Sequence, residues 1–183
     1  NGEALTTAIL GGAFDPPHFG HVALAEGALR ELGAERLLVI VTANPGHKPT
    51  VLDPATRLEL ARLAFGDLPN TEVRLDDHPF TVDLLRDEHF EDAVFVLGAD
   101  QWAVFDTWKE PEEILRLIPV AVAARPGQPV PAGDVQVFEI EQLPIASSEL
   151  RERIARGEPI DQLVPAPVAR EIERRGLYGR VPS

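Results

Sequence analysis

Apolar residues along the 183-residue chain form two kinds of stretch, short unbroken runs and segments with helical spacing, and the two kinds alternate. Leu5 to Leu10 is a run ending at Gly11-Gly12, and Val22 to Leu32 then reads as an amphipathic helix closed by Gly33. Arg36 to Thr42 is continuously apolar and β-branched, the pattern of a strand buried on both faces of a parallel sheet. Pro54 to Phe65 reads as a helix with Asp53 as N-cap and proline in its first turn. Strand-like Glu72 to Leu75, helix-like Val82 to Asp87, strand Ala93 to Leu97, helix Pro111 to Leu117 and strand Val120 to Ala124 continue the alternation. A Pro/Gly-rich loop at Arg125 to Gly133 precedes a strand at Val135 to Ile140 and two helices, Ser148 to Arg156 and Pro167 to Arg175. Alternating β and α segments predict layered α/β architecture with right-handed crossovers.

The length fits one domain, and 44% hydrophobic residues suffice for a packed core. No apolar run approaches the ~20 residues that cross a bilayer, and NGEALTTAILGG lacks a basic segment followed by a long apolar stretch, so neither secretion nor membrane insertion is expected. With no methionine, the N-terminus is expected to be trimmed or to carry a remnant of expression. The absence of cysteine excludes disulfides, thiolate metal sites and cysteine nucleophiles, and agrees with a cytoplasmic location. A net charge of −13 argues against general binding to nucleic acid backbones. An anionic ligand must therefore be held by a few local cations and backbone NH groups, against the overall field.

The segment GGAFDPPHFGH, Gly11 to His21, carries the strongest chemical signal. It matches neither the dinucleotide G-x-G-x-x-G pattern nor a P-loop. Two glycines after a buried strand let the backbone approach a ligand, and a helix opening near Gly20 presents NH groups and a positive dipole end. His18 and His21 stand one turn apart, so both rings can face one point above that helix end. Two imidazoles with backbone NH groups suit a polyphosphate; a zinc pair would need further ligands nearby. A second cluster, IASSELRERI, places Ser147 and Ser148 at a helix start, able to cap it or to meet phosphate, with Arg151 one turn on.

H-x-G-H after the first strand resembles the ATP-handling signature of the nucleotidylyltransferase superfamily. Within that superfamily the chain resembles the nicotinate-nucleotide adenylyltransferase family over almost its whole length. Gly11 to His21 resembles the family's G-G-[ST]-F-D-P-x-H-x-G-H, with Ala13 for Ser or Thr, and Ile145 to Arg151 resembles I-S-S-T-x-[IL]-R, with Ala146 for the first Ser. VLGADQWAVFDTWKE resembles the family's G-x-D segment with a Trp eight residues later. His78 to Asp87 resembles [ST]-Y-T-x-D-T-[LI], with Phe80 for Tyr and Leu84 for Thr. NPGHKP resembles N-x-x-P-P-H-[KR], one residue shorter and with Gly46 for a Pro; ARPG resembles R-x-P-G; and LVPAPVAREIERRGLY resembles the family's closing segment, for which a structural role is expected.

The resemblance implies a Rossmann-like doubly wound parallel sheet with helices on both faces and a C-terminal helical segment. It implies a single nucleotidyltransferase domain over residues 1–183, with about 147–183 completing the ATP site. The implied reaction transfers AMP from ATP to nicotinate mononucleotide, giving nicotinate adenine dinucleotide and pyrophosphate in NAD biosynthesis, with Mg²⁺ carried in on the ATP phosphates. His18, His21 and Arg151 are then catalytic. Gly11, Gly12, Ala13, Phe14, Lys48, Gly98, Asp100, Arg125, Ser147 and Ser148 bind ATP. Asn44, Thr81, Asp83 and Trp108 bind the mononucleotide, Trp108 by stacking, while Trp102 is assigned to packing. No lysine or arginine lies between His78 and Leu85, so selection of the acid mononucleotide would fall to backbone NH groups there. Nucleic acid and membrane partners are not expected, and association into homo-oligomers is left open. Two other readings stand beside this one: another H-x-G-H enzyme such as pantetheine-phosphate adenylyltransferase, and a nucleotide-binding regulatory protein without turnover, given the departures at positions 13, 80, 84 and 146. A class I synthetase fragment is disfavoured because no lysine-rich K-M-S-K-S-like loop is present.

Overall fold

The computed structural model describes residues 6–46, 49–141 and 143–179. Its strands are β1 (Thr7–Gly12), β2 (Arg36–Thr42), β3 (Thr71–Asp76), β4 (Ala93–Leu97), β5 (Val120–Ala124) and β6 (Gln136–Glu139). All pair in parallel in the order β3-β2-β1-β4-β5-β6. This is the doubly wound Rossmann-like sheet. The chain runs outward from β1 to β3, then returns to lay β4 against the other side of β1, which opens a crevice at the carboxyl ends of β1 and β4.

The helices are α1 (Phe19–Glu31), α2 (Pro54–Phe65), α3 (Thr81–Asp87), α4 (Ala99–Ala103), α5 (Pro111–Leu117), α6 (Ser147–Ala155) and α7 (Ala166–Arg175), with a 3₁₀ turn at Phe105–Thr107. Successive strand residues point to opposite faces. Ala8, Leu10, Val39 and Val96 therefore pack with Leu24 and Ala28 of α1 and Leu60 and Phe65 of α2, while Ile9, Ile40, Phe95 and Val122 pack with Val82 of α3 and Ile114 of α5. Leu150 of α6 and Val168 and Ile172 of α7 join the α1/α2 layer, so the C-terminal helices lie on that face. No described helix is long and apolar enough to cross a membrane.

Several boundaries shift by a residue or more from the pattern, and the shifts nearest the crevice have physical reasons. Helix α1 begins at Phe19, ahead of Val22, because His18 caps it. Helix α6 begins at Ser147 after Ala146, which has no capping side chain; the expected serine cap does not form because Ser147 Oγ donates to the Pro16 carbonyl at 2.8 Å. The short α4 and the 3₁₀ turn, between Gly98 and Trp108, lie below the length at which apolar spacing is informative. Leu5 lies outside the described residues.

Arg57, on α2, is fully buried. Its Nε donates to the Leu52 carbonyl at 3.0 Å, Nη1 to Ala13 at 2.9 Å and Thr42 at 2.7 Å, and Nη2 to Ala43 at 2.7 Å. One guanidinium thereby joins the loop after β1, the end of β2 and the approach to α2. Arg57→Met should lower unfolding free energy by about 3–5 kcal/mol, because four buried carbonyls lose their donors. Arg57→Lys should recover little, since an ammonium lacks the planar fork. Urea unfolding midpoints check this; a loss below about 1 kcal/mol would contradict the role.

Candidate active site

The loop from Gly11 to His18 leads into α1, and two histidines close its first turn. Nδ1 of His18 accepts from the Gly20 NH at 3.0 Å, and Nδ1 of His21 accepts from the His18 NH at 3.1 Å. The rings stack with centroids 3.8 Å apart. This is a reciprocal capping box built from imidazoles. With both Nδ1 atoms accepting, the proton of each neutral ring resides on Nε2, so each ring offers an N–H donor from its far edge. Burial holds His18 neutral, lowering its pKa from 6.5 to about 4. Glycine at position 20 follows from the same stacking, because a Cβ there would lie 2.8 Å from the His18 ring.

Asp15 organises the loop behind these rings. Its carboxylate accepts from the Val51 NH at 2.6 Å, from the Leu52 NH at 3.3 Å and from the Tyr178 hydroxyl. Burial, then the facing Asp15, raises the Tyr178 pKa, so the phenol remains a donor. The Asp15 carbonyl accepts from Arg151 Nη1 at 2.9 Å. Arg151 and Ser147 thus dock α6 onto the loop at adjacent carbonyls, Asp15 and Pro16.

Two cavities meet at the carboxyl edge of the sheet. The first, about 520 Å³, is lined by Gly11 to Asp15, His18, Gly20, His21, Gly98, Asp100, Arg125 and Ala146 to Ser148 with Arg151. The N-termini of α1 and α6 open onto it, presenting positive dipole ends. The second, about 210 Å³, is aromatic and apolar, lined by Ile40, Phe80, Leu84, Phe95, Val104 and Trp108, with Thr81, His78 and Lys109. Gly11, Gly12, Ala13 and Gln101 line both.

Most of the residues expected from the sequence come together here. Phe14 is buried, with its ring edge-on to His21 at 4.9 Å. Asp100 and Arg125 pair at 2.8 Å on the rim of the larger cavity. Trp108 lines the smaller one, tilted against Phe105 at 5.2 Å and edge-on to Phe95 at 6.4 Å, and Thr81 lies at the start of α3 beside it. Trp102 stacks on Phe105 at 4.9 Å, in keeping with packing. Two of the expected residues stand apart from both cavities. Asn44 is exposed and lines neither cavity; the chain turns so that Pro45 faces the smaller one. Asp83 also lines neither; its carboxylate turns to the Lys109 ammonium at 3.0 Å. Lys48 lies outside the described residues.

Residues without a sequence signal also contribute. Gln101 accepts from the Gly98 NH at 3.1 Å and stands at the junction of the cavities. Phe80 and Lys109 face each other across the smaller cavity's wall, the ammonium 5.2 Å from the ring centroid. His78 lies between Asp76 at 2.8 Å and Asp87 at 2.7 Å, and these two hydrogen bonds, Asp76 first, raise its pKa from 6.5 to about 8.

Residues 9–153 match the cytidylyltransferase-like family. A protein of Roseiflexus castenholzii named a probable nicotinate-nucleotide adenylyltransferase is 38% identical over 193 residues, covering 94% of this chain and 97% of the relative. The chain belongs to the cytidylyltransferase-like family, on its nicotinate-nucleotide adenylyltransferase branch. A similarly named protein of Rhodopirellula baltica is 37% identical over 196 residues, covering 93% of this chain and 92% of its own. The solved structure of Plasmodium falciparum nicotinic acid mononucleotide adenylyltransferase complexed with NaAD superposes with a TM-score of 0.77 over 96% of this chain and 98% of that one. At 17% identity this is a likeness of fold.

The two shifted histidines give this family member opposite pH dependences on either side of neutrality. Buried neutral His18 binds a proton more readily when unfolded, so stability falls as pH drops from about 6.5 to about 4. The full span corresponds to about 3 kcal/mol. His78 binds its proton more tightly when folded, so its contribution is complete below about 6.5 and is lost as pH rises through about 8. Unfolding midpoints from pH 4 to 9 should show a flatter acid limb for His18→Asn, which keeps a capping acceptor, and a flatter alkaline limb for His78→Asn. Limbs unchanged by these substitutions would refute the assignments.

Proposed function

We propose that the chain transfers the adenylyl group of ATP to nicotinate mononucleotide, releasing pyrophosphate and forming nicotinate adenine dinucleotide. The observation carrying this reading is the pair of chemically distinct cavities that share Gly11 to Ala13 and Gln101. The larger suits ATP: it has imidazole N–H donors, Arg151 and two helix N-termini for the phosphates, with Gly98 and the Asp100–Arg125 pair at its rim. The smaller suits a pyridine ring between Trp108 and Phe80, with Thr81 beside it. The α-phosphate of ATP and the phosphate of the mononucleotide then meet at the shared glycines, where no side chain intervenes.

In this mechanism an oxygen of the mononucleotide phosphate attacks the ATP α-phosphorus as the bond to the β-phosphate oxygen breaks in line. A phosphate monoester is largely ionised at neutral pH, so no protein nucleophile or general base is required. His18 and His21 donate from Nε2 to phosphate oxygens, and Arg151 and Lys48 meet the charge gathering on departing pyrophosphate. Ser148 extends the polar wall at the α6 N-terminus, whereas Ser147 acts by docking that helix. Mg²⁺ enters as part of the ATP substrate, coordinated by phosphates and water. The cavity's own carboxylates are poorly disposed to hold an ion: Asp15 is engaged by three donors and Asp100 pairs with Arg125.

We also read residues 1–183 as one catalytic unit in which α6 and α7 complete the ATP side. The contacts of Ser147 and Arg151 with the first loop support this. A cytoplasmic location fits a reaction on soluble nucleotides.

Pyrophosphate release from ATP should be observed with nicotinate mononucleotide and be at least about tenfold more efficient than with phosphopantetheine, the smaller cavity being built for a flat ring. No release with any acceptor would overturn the reading. His21→Asn should fold normally yet lower kcat about a hundredfold, by removing a donor to transition-state charge while keeping the cap. Trp108→Ala should raise KM for the mononucleotide about tenfold or more and leave KM for ATP nearly unchanged. Equal losses for both substrates would make Trp108 a packing residue only.

A further inference from the structure

We infer that Lys109 is the side chain that selects a carboxylate over an uncharged amide on the ring bound in the smaller cavity. This rests on the adenylyl-transfer reading above. With the acceptor phosphate at the junction formed by Gly11 to Ala13 and Gln101, the ring occupies the part of the cavity that the ATP side does not share. Lys109 and Phe80 line only that part. The ring's substituent therefore emerges near the Lys109 ammonium, which lies over the Phe80 face at 5.2 Å.

The other charged groups of this cavity are already engaged. Both ring nitrogens of His78 are taken, by Asp76 and Asp87, and that pairing occupies Asp76 as well. Lys109 differs. Asp83 presents its two oxygens to the ammonium at 3.3 and 3.0 Å, against three donors, and both side chains remain partly open to solvent. A ligand carboxylate can join Asp83 on the same ammonium. An amide oxygen can accept there too, but without charge, and such a bond is about half as strong. The surroundings are acidic, with Asp76 and Asp87 on His78 and Asp83 on Lys109, in a protein of net charge −13. His78, its pKa raised to about 8, is committed to Asp76 and Asp87, which leaves the Lys109 ammonium over Phe80 as the cation that a ligand carboxylate meets.

Asp83 is a positioning residue in this arrangement. Sequence pattern assigns it to the mononucleotide, whereas its contact is with the lysine that meets the mononucleotide. Glu110, next along the chain, reaches back to Arg86 of the same helix with bonds of 2.8 and 2.7 Å, so two adjacent ion pairs fasten the Trp108 segment to α3.

The test compares kcat/KM for nicotinate and nicotinamide mononucleotides at saturating ATP in the wild type, K109M, K109R and D83N, with thermal unfolding as a check on folding. The wild type should prefer the acid. K109M should lose about tenfold or more with the acid and little with the amide, the span expected for one charge-assisted hydrogen bond. K109R should keep most of the preference, and D83N, which frees the ammonium, should leave the acid-to-amide ratio no lower than in the wild type. Equal losses for both acceptors in K109M would make Lys109 a wall or a phosphate contact, and an unchanged ratio would place selection on backbone groups; either result overturns the inference. No pyrophosphate from the wild type with either acceptor would instead refute the underlying reading, and this inference with it.

Discussion

A single buried cation holds the site's frame together. The Arg57 guanidinium reaches the carbonyls of Ala13, Thr42, Ala43 and Leu52, which lie on the loop after β1, at the end of β2 and on the approach to α2. Beyond the last strand pair a parallel sheet offers its loops no mutual support, and an unmatched carbonyl there is costly. Arg57 supplies the missing donors at once. Asp15 extends the arrangement outward, its carboxylate taking the Val51 and Leu52 NH groups and the Tyr178 hydroxyl, its carbonyl taking Arg151. The cavity-facing edge of the loop is thereby left to the glycines and histidines.

The two cavities are built by different means. In the larger one, an acidic protein assembles positive potential from imidazole N–H groups and two helix N-termini together with the charge of Arg151. These act over a few ångströms and need no favourable field at long range. In the smaller one, aromatic surface dominates and charge is limited to paired groups at the edge.

What the sequence could disclose follows from the range of each interaction. The alternation of buried runs and amphipathic helices survives in the sheet order, and H-x-G-H with Ser147 and Arg151 marks the larger cavity because local spacing there is itself the geometry. Where Asp83 and Asn44 point is not legible, because a loop's direction depends on partners elsewhere: Lys109 for the first, the turn at Pro45 for the second. Arg57 and Gln101 leave no signal, since an arginine in a helix and a glutamine after an aspartate are ordinary surface residues until tertiary structure surrounds them. Phe80 in place of tyrosine reads as a defect, yet its ring is a wall of the smaller cavity and a seat for Lys109.

The lining of the smaller cavity ends at Ile114, whereas the larger cavity needs residues as late as Arg151 and, behind its loop, Tyr178. A chain emerging from the ribosome therefore carries every wall residue of the smaller cavity well before the larger one can close. The larger cavity is completed last, by segments that also close the hydrophobic core over α1 and α2. A chain that stops before α6 lacks Ser147 and Arg151 while still carrying the whole wall of the smaller cavity.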